Sequence, residues 1–233
     1  MNSSQESYDE IWLIARRKER LKRWSVLYPE QKFRIFDLDL QKLESCKKIQ
    51  RELMQREPEV TCFVHAAGFG IMGRIEEIPL EEQLEMIDVN CKSTVALTAD
   101  VLPYMKKKGR IIVLSSAAAF LPQPGFAVYA ASKSLVLSYM RSLRRESKGR
   151  GLRITAVCPG AVKTDFFDRA AAGKTLPAYK KLVMADMKKV VKKAWEDNTR
   201  NREISVYGYL MRGFYLACKL IPHRFILNFV KGD

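Results

Sequence analysis

The chain has 233 residues, 47% of them hydrophobic, which suits one globular domain with a sizeable core and leaves too little for two domains and a linker. Its 41 Lys and Arg against 26 Asp and Glu give a net charge of +15, a balance that favours anionic partners. The basic residues are scattered along helical stretches such as 16–23, 106–110 and 188–193, without a recognition helix, zinc finger or RNA platform, so nucleic acid is not an expected partner.

In chain order, the short apolar run 10–15 reads as a strand and the charged segment 18–24 as a helix. A second strand is expected at 33–39 and a helix with apolar residues at helical spacing at 43–56. Residues 60–64 form a third strand, 80–106 a long helix, 110–115 a fourth strand, 127–148 a further helix and 152–157 a fifth strand. Strands alternating with helices imply a doubly wound α/β fold, a parallel sheet covered on both faces. In such folds ligands sit beyond the C-terminal ends of the strands. Those ends carry Ala15-Arg16-Arg17, Asp37-Leu38-Asp39, His65-Ala66-Ala67-Gly68, Ser115-Ser116 and Cys158-Pro159-Gly160. The small residues among them either permit close approach to a ligand or simply make tight turns.

The cysteines Cys46, Cys62, Cys91, Cys158 and Cys218 form no CxxC pair and no metal-type spacing with histidine; they read as small buried residues in a reducing compartment. No metal site is expected. Residues 1–10 are polar and acidic, without the apolar core of a signal peptide, so the expected location is cytoplasmic.

Tyr129 and Lys133 stand four apart and so share a helix face. A phenol titrates near 10, and a neighbouring ammonium would lower that value and make Tyr129 a usable acid and base. Ser116 at a strand end could hold a substrate oxygen by a hydrogen bond. Together, Tyr129-Ala-Ala-Ser-Lys133 and the serine thirteen residues earlier in Leu114-Ser-Ser-Ala-Ala resemble the active site of the short-chain dehydrogenase/reductase family. Asn90 in Met86-Ile-Asp-Val-Asn stands where that family has its fourth catalytic residue, which binds a relay water through its main chain. The segment 63–68 is similar to the family's Asn-Asn-Ala-Gly element, with His65 and Ala66 replacing both asparagines; a structural role is expected for His65. Ala67 and Gly68 keep the turn. Pro159, Gly160 and Thr164 resemble the segment that contacts the nicotinamide carboxamide, and Asp39-Leu40 the pair that borders the adenine. The resemblance runs from about residue 9 to about residue 195.

The resemblance implies a nicotinamide cofactor, with Tyr129 and Lys133 also touching it. NADP(H) is expected over NAD(H), because Arg16 and then Arg17 replace an acidic residue at the second-strand position and suit a 2′-phosphate. Both could instead belong to the solvated basic run 16–22. Residues 165–182 are similar to the family's substrate lid, and Phe166, Phe167, Ala170–Ala172, Leu176 and Tyr179 in it point to an apolar carbonyl or alcohol substrate, though such residues could equally be ordinary packing. Family members are often dimers or tetramers, so a homo-oligomer is expected.

One family feature has no counterpart: the opening strand, Gly-xxx-Gly-x-Gly turn and helix that cradle the pyrophosphate. Before the first matched strand stand eight residues with no glycine and no apolar run, so the Rossmann-like domain is expected to lack its first βα unit. Three explanations are open: a wrong start or a fragment, which we favour; a degenerate relative; or a shortened protein that binds without catalysing, on a membrane or with a partner subunit. Residues 206–231 form an aromatic-rich, basic tail divided by Pro222. Such helices lie in a membrane interface, pack on a partner subunit or cover a substrate cleft.

Overall fold

A computed structural model of the chain describes residues 8–164, 166, 170 and 184–228. The α/β alternation is observed: β1 (Ile11–Ala15), α1 (Lys18–Leu27), β2 (Phe33–Asp37), α2 (Leu43–Arg56) and β3 (Val60–His65) follow in order. Next come α3 (Leu80–Ile87), α4 (Ser93–Val101), β4 (Met105–Leu114), α5 (Ala127–Glu146) and β5 (Arg153–Val157). The basic stretch 188–193 lies in α6 (Met187–Thr199), and the short β6 (Ile204–Ser205), which no run of the sequence marks, follows it. The tail forms α7 (Tyr209–Leu220) and α8 (His223–Leu227), divided at Pro222 as expected.

The long helix expected over 80–106 is broken in two places. A π-helical turn, Asp88–Lys92, interrupts it at Asn90. Pro103 then falls in a 3-10 turn, where its missing donor ends the helical ladder. Residues 105–109 are instead the first part of β4, with Lys108 at φ 61° and a register shift between Val60 and Cys62. The regular pairing starts at Arg110, opposite Arg153, where the apolar run begins.

Strands β4 and β5 show why the sheet is covered on both faces. Ile111, Val113, Ile154 and Ala156 point into the main core with Val136 and Met140 of α5 and Leu97 of α4. Ile112 and Val157 point the other way, onto Ala194 and Trp195 of α6. The period-2 alternation of a strand thus feeds two helical layers. α2 puts Cys46, Ile49 and Leu53 on one buried face, at helical spacing.

All pairings are parallel, but the strands form two sheets: β1-β2, and β3-β4-β5-β6. No ladder joins them among the described residues. The edges do not close on each other, and the β3 side is not buried as an interior edge would be: Thr61 and Val64 are exposed. The β1-β2 unit is attached by its side chains instead. Phe36 and Leu40 are in the main core, with Trp12 and Ile14 packed against it.

Asn198 in α6 ties the larger sheet together from inside. Its Nδ2 donates to the carbonyls of Ile111 at 3.3 Å and Arg153 at 2.8 Å and to Thr155 Oγ1 at 3.1 Å, while Oδ1 accepts from Arg110. Asn198→Ala leaves several buried groups unpaired and should lower the unfolding free energy by about 2–4 kcal/mol, read by urea denaturation. A change below about 0.5 kcal/mol would show that water replaces the amide without cost.

Candidate active site

Helix α5 carries Tyr129 and Lys133 on the same stripe that buries Val136, Met140 and Leu143, so the pair extends an apolar face to the helix's N-terminal end. The end of β4 supplies the other wall. Ser115 Oγ donates to the Lys133 carbonyl at 2.8 Å, and Lys133 Nζ donates to the Leu114 carbonyl at 3.0 Å. Ser116 Oγ accepts from the Ala118 amide and stands near enough to the Tyr129 phenol to lower its pKa.

The π-turn delivers Asn90 to the same place. Asn90 is fully buried; its Oδ1 accepts from the Phe69 amide at 3.0 Å, and its Nδ2 donates to the Phe69 carbonyl at 2.8 Å and Ser132 Oγ at 3.0 Å. Ser132 in turn donates to the Tyr129 carbonyl. Gly68 closes the cluster, since a Cβ there would lie 2.8 Å from Asn90 Oδ1 and 2.9 Å from Lys133 Nζ. Among the expected site residues, Ser116, Tyr129, Lys133, Asn90 and Gly68 therefore converge. Asn90's main-chain carbonyl, expected to hold a relay water, accepts from Thr94 Oγ1 at 2.7 Å, while the side chain braces the 68–70 turn.

Electrostatics depart from expectation at Tyr129. Burial pushes its phenol up to about 12, the Ser116 hydroxyl opposes this, and the nearby Cys158 adds to it. Lys133 does not lower it in this arrangement, because the ammonium turns to Leu114 and lies 5.8 Å from the ring centre. Desolvation outweighs the distant charge. The same burial drives Lys133 down from 10.5 to about 8. His65, enclosed beneath, falls to about 4 through burial and the Lys133 charge, so its ring is neutral near pH 7. It is hydrogen-bonded to Ser93 at 3.1 Å and faces Thr94, a structural place consistent with the role expected for it. The Cys158 thiol, pushed up to about 12 by burial, is also neutral. Cys46, Cys91, Cys158 and Cys218 are buried and free, as expected; Cys62 is partly exposed.

Rings enclose the phenol. Phe126 stacks on Tyr129 with centroids 4.3 Å apart, and Phe166 is tilted against it at 5.4 Å. Of the expected lid, only Phe166 and Ala170 are within the described residues; Phe167, Leu176 and Tyr179 lie outside them. On the C-terminal side, Ala185 bonds back to Ala161 and Lys163.

Of the remaining expected cofactor residues, Arg16, Arg17, Asp39 and Leu40 stand where β1 and β2 end, whereas Ala67 adjoins Gly68 and Pro159 meets the loop after Ser116. Arg16 and Arg17 are exposed where β1 ends, beside Asp37 on β2. The Asp39 carboxylate accepts from the Gln41 amide, and Leu40 is buried in the main core, so both residues shape their own turn. Ala67 is half-buried and packs on the core. The Pro159 carbonyl accepts from Ala117, and among the described residues Thr164 bonds within its own loop. Gly160 is small for a reason the sequence did not disclose: a Cβ there would lie 2.8 Å from Met211 Sδ of α7. A groove of about 370 Å³ along Ser134, Ser138, Arg141 and Arg145 opens on the exposed face of α5, away from Tyr129 and Lys133, and is not this site.

A parallel, helix-covered sheet with Ser116 at a strand end and Tyr129 and Lys133 on the helix packed against it is an α/β architecture of the oxidoreductase kind. The family model for short chain dehydrogenases matches residues 5–175. The chain belongs to the short-chain dehydrogenase family. It is 33% identical over 162 residues to sulfoacetaldehyde reductase 2 of Chromohalobacter salexigens, covering 66% of this chain and 63% of that one. To 11-beta-hydroxysteroid dehydrogenase A of Sesamum indicum it is 30% identical, covering 65% and 43%. The chain spans about half the length of the curated relatives it matches. A short-chain dehydrogenase from Sphingobium yanoikuyae, solved with NADPH, shares the fold with a TM-score of 0.77 at 22% identity, over 95% of this chain and 87% of that one.

The buried ammonium has a measurable consequence. A fall from 10.5 to about 8 corresponds to about 3 kcal/mol, at roughly 1.4 kcal/mol per pKa unit. Because the folded value is the lower one, the unfolded chain holds more protons between about pH 8 and 10.5, and stability rises with pH across that window. Tyr129, raised from 10 to about 12, acts in the opposite direction above pH 10. Lys133→Met removes the charge but leaves the Leu114 carbonyl unpaired. It should stabilise the fold at pH 7 by about 1–3 kcal/mol and flatten the rise between pH 8 and 10. Urea titrations at a series of pH values check this; an unchanged slope would mean that the ammonium is solvated.

Proposed function

We propose that this chain is an NADP(H)-dependent oxidoreductase that interconverts a carbonyl and an alcohol on an apolar substrate. One observation carries the reading: Tyr129, Lys133 and Asn90 are buried together beside the Ser116 end of β4, with Gly68 closing the cluster. A lysine that costs stability yet remains at such a place is characteristic of a working site.

The residues fit the nicotinamide end of the cofactor. Lys133 carries three donors, and the Leu114 carbonyl takes one, which leaves donors for ribose hydroxyls. Gly68 keeps side-chain bulk away from Asn90 and Lys133. Arg16, with Arg17 behind it, offers an exposed guanidinium at the end of β1, and neither pairs with an acid among the described residues; a 2′-phosphate suits such a cation. The NADPH bound to the Sphingobium neighbour is in keeping with this choice. When bound, NADPH supplies the hydride for the carbonyl carbon.

The chain's own side chains handle the oxygen. Ser116 donates a hydrogen bond to it and orients it toward the phenol. Tyr129, fully protonated at pH 7 with a pKa of about 12, donates its proton as charge develops there. Lys133, cationic below about pH 8, stabilises the phenolate left behind. Asn90 positions the 68–70 turn and, through Ser132, the helix end that bears Tyr129. Phe126 and Phe166 exclude water from the phenol and suit an apolar substrate.

Tyr129→Phe should abolish carbonyl reduction, followed by loss of NADPH absorbance with a panel of apolar ketones, while NADPH affinity stays within about threefold. Retained turnover would remove the mechanism. Arg16→Ala should weaken NADPH binding by about 10- to 100-fold, the worth of a charge-assisted hydrogen bond, and leave NADH binding unchanged. Equal losses for both cofactors, by fluorescence titration, would assign Arg16 to the solvated basic run instead.

A further inference from the structure

We propose that α7 and α8 form a docking surface for an anionic lipid bilayer, lying in the headgroup region beside the Ser116 loop. α7 buries one face. Phe214 and Tyr215 pack on Phe120, with ring centroids 6.4 and 4.8 Å apart, and Met211 covers Gly160. A soluble helix would place polar residues on its outer face. α7 instead exposes Tyr209 (90%), Leu210 (66%), Leu216 (54%) and Leu220 (81%), and the chain continues with exposed Ile221 and Phe225. Tyr209, Gly213, Leu216 and Leu220 recur at helical spacing, so the apolar residues form a continuous stripe.

The charges around this stripe select the occupant. Residues 204–232 contain no Asp or Glu, while Arg212, Lys219 and Arg224 are distributed along the described helices. Lys219 lies over the Tyr215 ring at 5.5 Å, and Arg224 over Phe225 at 4.6 Å, each cation held at the border of the apolar surface. A second copy docking here would bring like charges together, which opposes association. An anionic headgroup layer complements them, at roughly 1 kcal/mol for each cation near the surface. Among the described residues no helix is long and apolar enough to cross a membrane, so the helices lie along the interface.

The test is flotation of the full chain with phosphatidylcholine vesicles, with and without phosphatidylserine, at low and high salt. Association should require phosphatidylserine and weaken with salt. Leu216→Glu with Leu220→Glu should reduce it at least tenfold, as should Lys219→Glu with Arg224→Glu, with unchanged thermal unfolding. Lys188→Glu with Lys192→Glu on α6 makes the same change in charge on another helix and should have far less effect. Equal losses in the α6 and tail variants would reduce the effect to net charge and overturn the proposal. Association with neither vesicle would also overturn it. So would a dimer, seen by light scattering, that Leu220→Glu dissociates, which would give the surface to a second copy.

Discussion

Much of the site follows from enclosing one ammonium, that of Lys133, between the end of β4 and the N-terminal turns of α5. Such a group is tolerated only where its donors are met and the surrounding groups do not add positive charge. The Leu114 carbonyl meets one donor. His65 stays neutral beneath it, held by Ser93, and Gly68 is small because a side chain there would displace Nζ or the Asn90 amide. The π-turn at 88–92 turns Asn90 inward to fasten the loop bearing that glycine. Changes at these positions are therefore coupled, and their energies will not add.

Much of the fold could be read in the chain because strand and helix periodicities differ, and each is strong here. β1, α2, β3 and β5 lie within a residue of their expected bounds, since each is an apolar run with polar flanks. The errors fell where local chemistry overrides periodicity. The helix over 80–106 keeps its apolar spacing through Asn90 and Pro103, yet the backbone changes hydrogen-bond pattern at both. β6 is too short to have a period, and its place is set by pairing Ala156 and Val157 with Ile204 and Ser205. Asn198 is an ordinary polar residue in a basic helix; its bonds to β4 and β5 exist only once the sheet has formed.

The site was legible to a different degree at each position. Tyr129 and Lys133 could be joined by helical spacing, and Ser116 and Asn90 by resemblance. What spacing could not supply was the sign of the electrostatic effect on Tyr129. A nearby lysine lowers a phenol's pKa only if its charge lies closer, in free-energy terms, than the water that burial removes. With Nζ turned to Leu114, burial prevails. The tyrosine is consequently held as an acid rather than as a base, which suits proton donation to a carbonyl oxygen. The identity of Gly160's neighbour was equally hidden, because Met211 is 51 residues away in sequence.

The division of the strands into two sheets separates two groups of the proposed site residues. Arg16 and Arg17 stand on the β1-β2 pair, whereas Ser116, Tyr129 and Lys133 stand on the β3–β6 sheet and the helix against it. No ladder transmits position between them among the described residues; the link is side-chain packing, with Phe36, Leu40, Ile49 and Leu53 in the same core as Leu97 and Val113. Packed apolar contacts fix distance less sharply than parallel ladders, since they lack the directionality of hydrogen bonds. A ligand spanning the two units would supply such directional contacts at both ends and draw them into register. Its binding free energy would thus depend on the packing of Phe36 and Ile49 between the two units, as well as on the groups that meet the ligand.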